Sequence, residues 1–391
     1  MTPKAKEVYE NILRDAVSVY SKEGLYERMS SGARLKIKLG ADPSRPDLHL
    51  GHSVVLRKLK MLQELGHEII FIIGDFTGMI GDPSGRTKTR PPLTFEETRE
   101  NARTYLKQVT KILDKDKTTI AFNSEWLSKL MFADVLSLAG KYTVARILER
   151  NDFAHRLAEN KPIGMHEIFY PLMQGYDSVA IEADIEVGGS DQTFNLLVAR
   201  ELQRCYGQPP QEVITFPLLP GLDGVEKMSK SLDNYIGFDE DADIMFEKCM
   251  KVPDNLLADY FSLTTDIEKS EYSSLMEKDI RKAHFLYAGT IVEFYHDKIS
   301  AESAKERYLR VAGGSAPESL DILCFAPGTA VTEMLVESGF AATKSEGVRL
   351  IKGGGVKIDG ETLSDFKAVI DKNGEFILSK GKNKFVKIKV K

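Results

Sequence analysis

Apolar residues run almost unbroken through Glu68–Ile73 (EIIFII) and alternate through Lys36–Leu39. Both stretches read as strands of a sheet, the first covered on both faces. Between them, SVVLRKLKMLQELG repeats its apolar residues at helical spacing, and Gly66 closes the segment as glycine does just past a helix end. Strand, helix and strand within about 40 residues make a βαβ unit with a right-handed crossover. Thr94 and Glu97 form a capping-box pattern that starts a helix running to about Leu113, and Thr118–Phe122 reads as a third strand. Lys4–Met29 predicts one helix, with Val8, Ile12, Ala16 and Val19 on its apolar face. Leu127–Leu157 is helical and rich in apolar groups, which suits a dimer surface and an internal core equally. A strand ending at Glu186–Gly189, a helix over Ser190–Tyr206 and a strand over Glu212–Pro217 complete an α/β pattern with a parallel sheet.

The remainder has a different character. Asp239–Ala312 is helical and charged, and Gly313–Thr329 reads as a linker. Val331–Ser338 and Thr343–Lys352 are two short helices, followed by GGGVKIDG, a turn and strand. The whole chain of 391 residues is too long for one ordinary core and predicts two or three domains. The expected division is 1–233, 234–312, a linker at 313–330, and 331–391. With 42% apolar and 28% charged residues the composition is that of a soluble globular protein. No apolar run approaches the ~20 residues of a membrane span, and MTPKAKEVYE has no apolar signal core. Cys205, Cys249 and Cys324 are far apart and odd in number, which favours a reducing cytoplasm. The net charge of −5 excludes uniform coating of nucleic acid. After residue 340, however, twelve lysines and arginines face six acidic residues, so a basic tail follows an acidic body. That asymmetry points to a local polyanion contact, or to a solvated lysine-rich end.

Candidate chemistry collects where strands end. KIKLGADPSRPDLHLGH puts His49 and His52 where a strand gives way to a helix N-terminus, a natural site for phosphate. Gly51 between them lets a ligand approach the backbone. Taken alone, HLGH also suits a metal pair or two surface histidines. The second strand runs into GDFTGMIGDPSGRTKTR. There Asp75 and Asp82 can hold an ammonium group, and Arg86, Lys88 and Arg90 can grip polyphosphate, if this is not an ordinary surface loop. In FYPLMQGYDSVAIEAD, Pro171 fits a first helical turn, and Tyr170, Gln174 and Asp177 fall at i, i+4 and i+7 on one face. A phenol, an amide and a carboxylate among apolar neighbours need partners, supplied by a small polar ligand or by a core network. Asp191 and Gln192 open the next helix, suited to ribose hydroxyls and to a carboxyl or carbonyl. Lys227 and Lys230 in PGLDGVEKMSKS, flanked by Ser229 and Ser231, call for an anion between them.

HLGH followed about 175 residues later by KMSKS resembles the paired signatures of class I aminoacyl-tRNA synthetases. GDPSG, the YxxxQxxD helix and GGSDQ are similar to the tyrosyl-tRNA synthetase family, over most of Lys36–Ser231. The long glycine-rich loop with KMSKS resembles one bacterial branch. The resemblance implies a Rossmann-like catalytic domain, a helical tRNA-contacting domain and a homodimer. It implies ATP, with substrate-borne Mg2+, bound by Gly40, Asp42, His49, Gly51, His52, Asp191, Met228 and Lys230. His49 and His52 would act on its phosphates, Lys227 and Lys230 on the leaving pyrophosphate, and Arg86 and Arg90 beside them. Tyrosine would be held by Asp82, Tyr170 and Gln174 at its ammonium group, Gln192 at its carboxyl group and Asp177 at its hydroxyl. TKSEGVRLIKGGGVKIDGE resembles the alpha-L RNA-binding motif, so Lys344, Arg349 and Lys352 would meet tRNA phosphates.

The implied reaction fits these residue types independently. A carboxylate attacking the ATP α-phosphate needs alignment and charge stabilisation more than acid–base help. One position departs from the better-known branch, where a tyrosine shares the phenol with the aspartate: here it is Lys38. A non-catalytic RNA-binding relative would lose a signature histidine or lysine, and all are present. A tryptophanyl relative is disfavoured by Asp177 and by the tail.

Overall fold

A computed structural model describes residues 1–43, 47–84, 93–312, 320–381 and 384–391. The chain divides into two units, one of Met1–Asp241 with Lys248–Tyr287, the other of Ala242–Glu247 with Ala288–Lys391.

The first unit is built on six strands, β1 (Ser18–Tyr20), β2 (Lys36–Ala41), β3 (Glu68–Ile73), β4 (Thr118–Phe122), β5 (Ile185–Gly189) and β6 (Glu212–Phe216). They lie in the order β1-β6-β5-β2-β3-β4. All neighbours are parallel except β1, which runs antiparallel to β6 with Ser18 opposite Thr215. Every residue from Ile69 to Ile73 is buried, so both faces of the sheet are covered at β3. The Leu50–Glu64 helix links β2 to β3, and its capping residue is His49. The Phe95–Val109 helix starts with the expected reciprocal cap, Glu97 N–H to Thr94 Oγ1 at 3.2 Å and Thr94 N–H to Glu97 Oε2 at 2.8 Å.

Three local expectations are corrected. Lys4–Met29 is not one helix but Pro3–Asp15, strand β1 and Lys22–Ser30. Val17 to Tyr20 carries two β-branched residues and finds an open sheet edge at β6, while Ser21 Oγ caps the next helix by accepting from Gly24 N–H at 3.0 Å. Leu127–Leu157 breaks into helices over Phe132–Ala139, Val144–Leu148 and Asn151–Ala158. Their inward side chains, Leu138, Ile147 and Phe153, join Leu172, Met173, Val198 and Leu202 in one apolar cluster. Met131, Phe132, Leu136, Val144 and Leu157 face outward. Finally, Pro171 lies inside the Met165–Ile181 helix rather than in its first turn. That helix starts earlier because Glu167, pairing with the buried Arg156 at 2.8 Å, also accepts from Gly164 N–H at 3.0 Å. Gly175 lets this helix approach Thr193–Cys205, because a Cβ there would sit 3.2 Å from the Ala199 backbone.

In the second unit, Lys298–Ala312 is helical and the chain ends in a small α+β body. Its strands are β7 (Ile322–Phe325), β8 (Thr329–Ala330), β9 (Val356–Ile358), β10 (Glu361–Thr362), β11 (Val369–Ile370), β12 (Gly374–Lys380) and β13 (Lys384–Val390). Five form a sheet in the order β10-β9-β12-β13-β7, and β8 pairs with β11. β7 and β8 fall within the stretch read as a linker; β7 adds parallel to β13. The helices Val331–Glu337 and Lys344–Lys352 bury Met334, Leu335 and Ile351 against Val356, Leu378 and Ile388.

Candidate functional site

Strand order reverses at β2, which has β3 on one side and β5 on the other. In a parallel sheet such a reversal opens a crevice beyond the strands' carboxyl ends. A cleft of about 800 Å³ occupies that place. Gly40 near the end of β2, Asp42 after it, Thr77 after β3, Asn123 after β4 and Asp191 and Gln192 after β5 all line it. So do His49, Gly51, His52, Asp82, Tyr170, Gln174, Asp177, Lys227, Met228 and Lys230. The two distant signatures therefore share one cavity. Gly74 is needed at its wall, since a Cβ would fall 2.0 Å from Asp42 Oδ1.

Backbone pairing brings the signatures together. Leu50 N–H donates to Ile236 O and Phe238 N–H to Leu48 O, each at 3.0 Å, so HLGH is zipped to the segment just after KMSKS. Asn234 braces that loop, accepting from Ser229 N–H at 2.7 Å and donating to Lys227 O at 3.2 Å. The His49 and His52 rings are 4.1 Å apart. Burial, the His52 ring and the Lys227 ammonium hold His49 well below the usual imidazole range; burial and Lys227 bring His52 down to about 4. Both rings are therefore neutral at pH 7. His49 N–H donates to His52 Nδ1 at 3.2 Å, so in the neutral ring Nε2 carries the proton and is left as a donor. His49 Nδ1 is buried with no hydrogen-bond partner. Lys227 pairs with Asp191 at 2.8 Å and Lys230 with Asp47, so each ammonium group has a carboxylate beside it.

At the other end, Tyr170 Oη donates to Asp42 Oδ2 at 2.9 Å, and Thr77 Oγ1 donates to Asp42 Oδ1 at 2.7 Å. Gln192 Nε2 donates to Asp82 Oδ2 at 2.7 Å, and its Oε1 accepts from Asn195 at 3.0 Å. Arg150 supports this group through Ser84 Oγ at 2.8 Å and Asn195 Oδ1 at 3.1 Å. Gln174 Oε1 is buried with no partner, an acceptor left over inside a polar pocket. Deeper still, Asp177 accepts from Trp126 Nε1 at 2.8 Å and Asn123 Nδ2 at 3.2 Å. Burial raises it to about 7 against the opposing pull of Lys38 and these two donors. This end thus collects negative and acceptor groups, suited to an ammonium and a hydroxyl, while the histidine–lysine end suits an anion.

The sequence-predicted residues fare differently. Asp75 is not in the cleft: it is fully buried, accepts from Ser124 N–H at 2.9 Å and Oγ at 2.7 Å, and pairs with Arg99 at 3.0 Å. Arg86, Lys88 and Arg90 lie outside the described residues. Lys344, Arg349 and Lys352 are exposed on one helix of the second unit, with Lys344 paired to Glu333 at 2.7 Å and Lys352 over the Phe366 ring at 4.6 Å. Asn123, Trp126, Thr77, Asp47 and Asn234 were not foreseen. Asn123 had a usable signal, since it ends a parallel strand whose neighbours also end in polar residues. Among the described residues no three His, Cys, Asp or Glu side chains gather as a metal-ligand set.

Comparison with known proteins gives a consistent picture. The family described as tRNA synthetases class I (W and Y) matches residues 30–311, and the S4 domain family matches residues 333–367. The tyrosine–tRNA ligase of Thermotoga maritima is 48% identical, covering 99% of this chain and 98% of its own length. That of Haemophilus ducreyi is 46% identical with full coverage of both chains. Among solved structures, the tyrosyl-tRNA synthetase of Archaeoglobus fulgidus, complexed with L-tyrosine, superposes with a TM-score of 0.61 at 25% identity, over 77% of this chain and 99% of that one. Plasmodium falciparum tryptophanyl-tRNA synthetase shares the fold at a TM-score of 0.59 and 16% identity, over 78% and 87%.

The buried Asp177 carries a pH dependence whose sign is fixed. Its folded pKa lies above the ordinary 3.8, so the folded chain binds the proton more tightly than the unfolded one. Stability is fullest when the group is protonated in both states and is lost as pH rises toward about 7. Asp177→Asn, which cannot ionise, should gain thermal stability relative to the parent between pH 5 and 7, with a constant gain above; a melting-temperature difference flat over that range would contradict this.

Proposed function

The chain belongs to the class I tRNA synthetase family that serves tryptophan and tyrosine, its function is tyrosine–tRNA ligation, and we propose how its residues divide that reaction. Tyrosine is first joined to AMP, its carboxylate oxygen bonding to the ATP α-phosphorus as pyrophosphate leaves. A hydroxyl of the terminal tRNA ribose then takes the tyrosyl group and AMP departs.

Tyrosine enters with its ammonium among Asp82, Tyr170 Oη and the unpartnered Gln174 Oε1, and its hydroxyl reaches Asp177. A hydroxyl donated to an ionised carboxylate is a charge-assisted bond. Tryptophan has no matching phenol, which is why the tyrosine reading is preferred over the tryptophanyl one. Gln192 uses one amide N–H on Asp82 and keeps the other for the substrate carboxylate. ATP, with its Mg2+, lies toward His49 and His52. There His52 Nε2–H, as a neutral donor, meets the negative charge that grows on the phosphates. Lys227 and Lys230 exchange Asp191 and Asp47 for the more highly charged pyrophosphate, and Asp191 becomes free to accept from the ribose. Gly40, Gly51 and Met228 shape the nucleotide side, Asp42 reaches it from the amino-acid end where Tyr170 and Thr77 hold it, and Arg86 and Arg90 add to the phosphate grip. No general base is required, because the tyrosine carboxylate is already ionised at neutral pH.

The functional division proposed is a catalytic domain over 1–233, a tRNA-contacting helical region over 234–312, a connection at 313–330 and an RNA-binding domain over 331–391. Lys344, Arg349 and Lys352 neutralise phosphates of tRNA(Tyr). The outward Phe132, Leu136 and Val144 form part of a homodimer surface. Among the described residues no helix is long and apolar enough to cross a membrane, and a cytoplasmic site of action is proposed. A non-catalytic RNA-binding role is disfavoured by the intact histidine and lysine signatures.

The single observation that supports this reading most is the convergence of both signatures and the Tyr170–Gln174–Asp177 stripe on one cleft with an unpaired buried acceptor. The purified chain should exchange pyrophosphate into ATP only when tyrosine is present; no exchange at saturating tyrosine and Mg-ATP would remove the ligase reading. His52→Ala should lower kcat for exchange by about 10²-fold, as loss of one donor to a transition state does. Its KM for tyrosine should stay within about threefold; equal losses in both would deny the transition-state role. Removing residues 320–391, a body with its own buried cluster, should leave exchange within about twofold. Charging of tRNA should fall more than about tenfold and lose part of its salt dependence; unchanged charging would refute the tail's role.

A further inference from the structure

Lys38 stands in the middle of β2 and its side chain is fully buried. It does not line the cleft, whereas Glu186, next to it on β5, does. The ammonium lies 2.8 Å from Glu186 Oε1, 2.8 Å from Ser178 Oγ and 3.0 Å from Gln174 O. Ser178 Oγ and Gln174 O each accept a hydrogen bond from it, while Glu186 Oε1 is its ion-pair neighbour without a hydrogen bond. Glu186 is held in turn by Ser178 Oγ at 3.1 Å and by Gln211 Nε2. Lys38 is committed to these neighbours and stays outside the cleft lining, so it is not itself the second partner of a phenol.

Its contacts fall in a telling place. Gln174 and Ser178 are one helical turn apart, and Asp177 lies on the turn between them. A helical carbonyl already accepts one N–H, and Gln174 O takes the lysine as a second donor. The turn that carries Asp177 is therefore bound to the sheet by an ion, while Trp126 and Asn123 hold the carboxylate from the other side. A buried ion pair is weak evidence for stability, since its desolvation offsets its attraction, so its position under the hydroxyl end calls for a role there.

We propose that Lys38, paired with Glu186, is the positioning residue for hydroxyl recognition: it clamps the Gln174–Ser178 turn to the sheet and keeps the Asp177 carboxylate aimed at the substrate's para-hydroxyl. The proposal rests on the tyrosine reading of the cleft. The groups facing Asp177 are Lys38 from β2, Glu186 from β5, Asn123 and Trp126 from the segment after β4, and Tyr170 on its own helix, itself beside Asp42 and Asp82. Lys38 is the one cation among them. It lowers the proton affinity that burial and Glu186 raise. Two carboxylates, Asp177 and Glu186, share its charge. Taking the ammonium away leaves Asp177 more readily protonated, and a protonated carboxyl is a poorer acceptor for a hydroxyl.

Replacing Lys38 alone would bury Glu186 unpaired, so the test uses the full chain with Lys38→Met and Glu186→Gln together, which removes both charges. Tyrosine-dependent pyrophosphate exchange is followed from pH 6 to 9. The expected result is a rise of about tenfold in KM for tyrosine at pH 7.5, with kcat within about threefold and KM for ATP within about twofold of the parent. The acid limb of kcat/KM for tyrosine should move up, because the lost pull of Lys38 outweighs the lost opposing effect of Glu186, a change that loose packing alone would not produce. Ser178→Ala, which removes one partner of Lys38 and buries no bare charge, should raise the KM for tyrosine by about threefold and decides the matter if the double variant does not fold. An acid limb and a tyrosine KM left at parental values would overturn the proposal. So would losses in kcat and ATP affinity that keep step with the loss for tyrosine. Absence of exchange in the unmodified chain would overturn the ligase reading and the proposal together, whereas normal exchange with an unmoved profile overturns the proposal alone.

Discussion

The reversal of strand order between β3–β2 and β2–β5 is the constraint on which the cleft depends. Connections leaving neighbouring parallel strands in opposite directions cannot fill the space between them, so backbone ends and side chains frame a gap. Because β2, β3, β4 and β5 end level with one another, the residues just past each end face a common space. That is why Asp42, Thr77, Asn123 and Asp191, far apart in sequence, are neighbours in the molecule. The register is held by a core of Ile37, Ile69, Phe71 and Ile185, each fully or nearly fully buried. A one-residue slip would turn Ile37 and Lys38 to each other's faces, moving a charge into the apolar layer and a methyl group under the hydroxyl site.

Charge is sorted along this gap. The histidine–lysine end has positive or neutral donors, and each lysine is paired with a carboxylate, Asp191 or Asp47. Such pairs keep the loop from repelling itself, yet they are half-exposed and weak, so a polyphosphate of higher charge can displace them. Neutral histidines fit the same logic. Imidazoles held below their usual range can approach Lys227 without like-charge repulsion and still offer Nε2–H. The opposite end carries Asp42, Asp82 and Asp177, with the buried Arg150 beside Asp82 and the buried Lys38 near Asp177. A substrate with a carboxylate in its middle, an ammonium beside it and a hydroxyl at its far end matches this sequence of charges.

Much of the arrangement was legible in the sequence because its signals are local. The continuous apolar run of β3 and the Asn123-Ser124 stop after Thr118–Phe122 fix two strands to the residue. Thr94 and Glu97 mark a helix start through a cap that needs only four residues. Motif residues such as His49 and Lys227 are recognisable from spacing, although their meeting is not. What failed is tertiary. Val17–Tyr20 becomes a strand only because β6 offers an unpaired edge, and the helical period on either side conceals it. Pro171 reads as a helix start until Glu167 is known to be buried with Arg156, which fixes the true start farther back. Asp75 and Asp82 look equivalent in one glycine-rich loop, but Asp75 turns inward to cap Ser124, and no local pattern distinguishes them. Lys38 could be read from sequence as a departure, but its meaning depends on Glu186, 148 residues away along the chain and adjacent in the sheet.

The cleft departs from what folding alone favours, and the departures share a direction. Gln174 Oε1 and His49 Nδ1 are buried without partners, Asp177 is buried far above its ordinary pKa, and the Lys38–Glu186 ion pair is fully buried. Each arrangement costs the free chain about 1–3 kcal/mol or more, since desolvated polar groups are missing part of their hydrogen bonding. A ligand that supplies an ammonium, a hydroxyl and an anion relieves several of these costs at once, and a ligand lacking the hydroxyl relieves fewer. Selectivity then comes less from attraction to the right substrate than from the strain that a wrong one leaves in place. For that to work the acceptor must not relax toward another partner when the hydroxyl is missing. Trp126 and Asn123 on one side and the Lys38-bound turn on the other oppose such relaxation, and under the role proposed for Lys38 the rigidity around Asp177 is the source of discrimination.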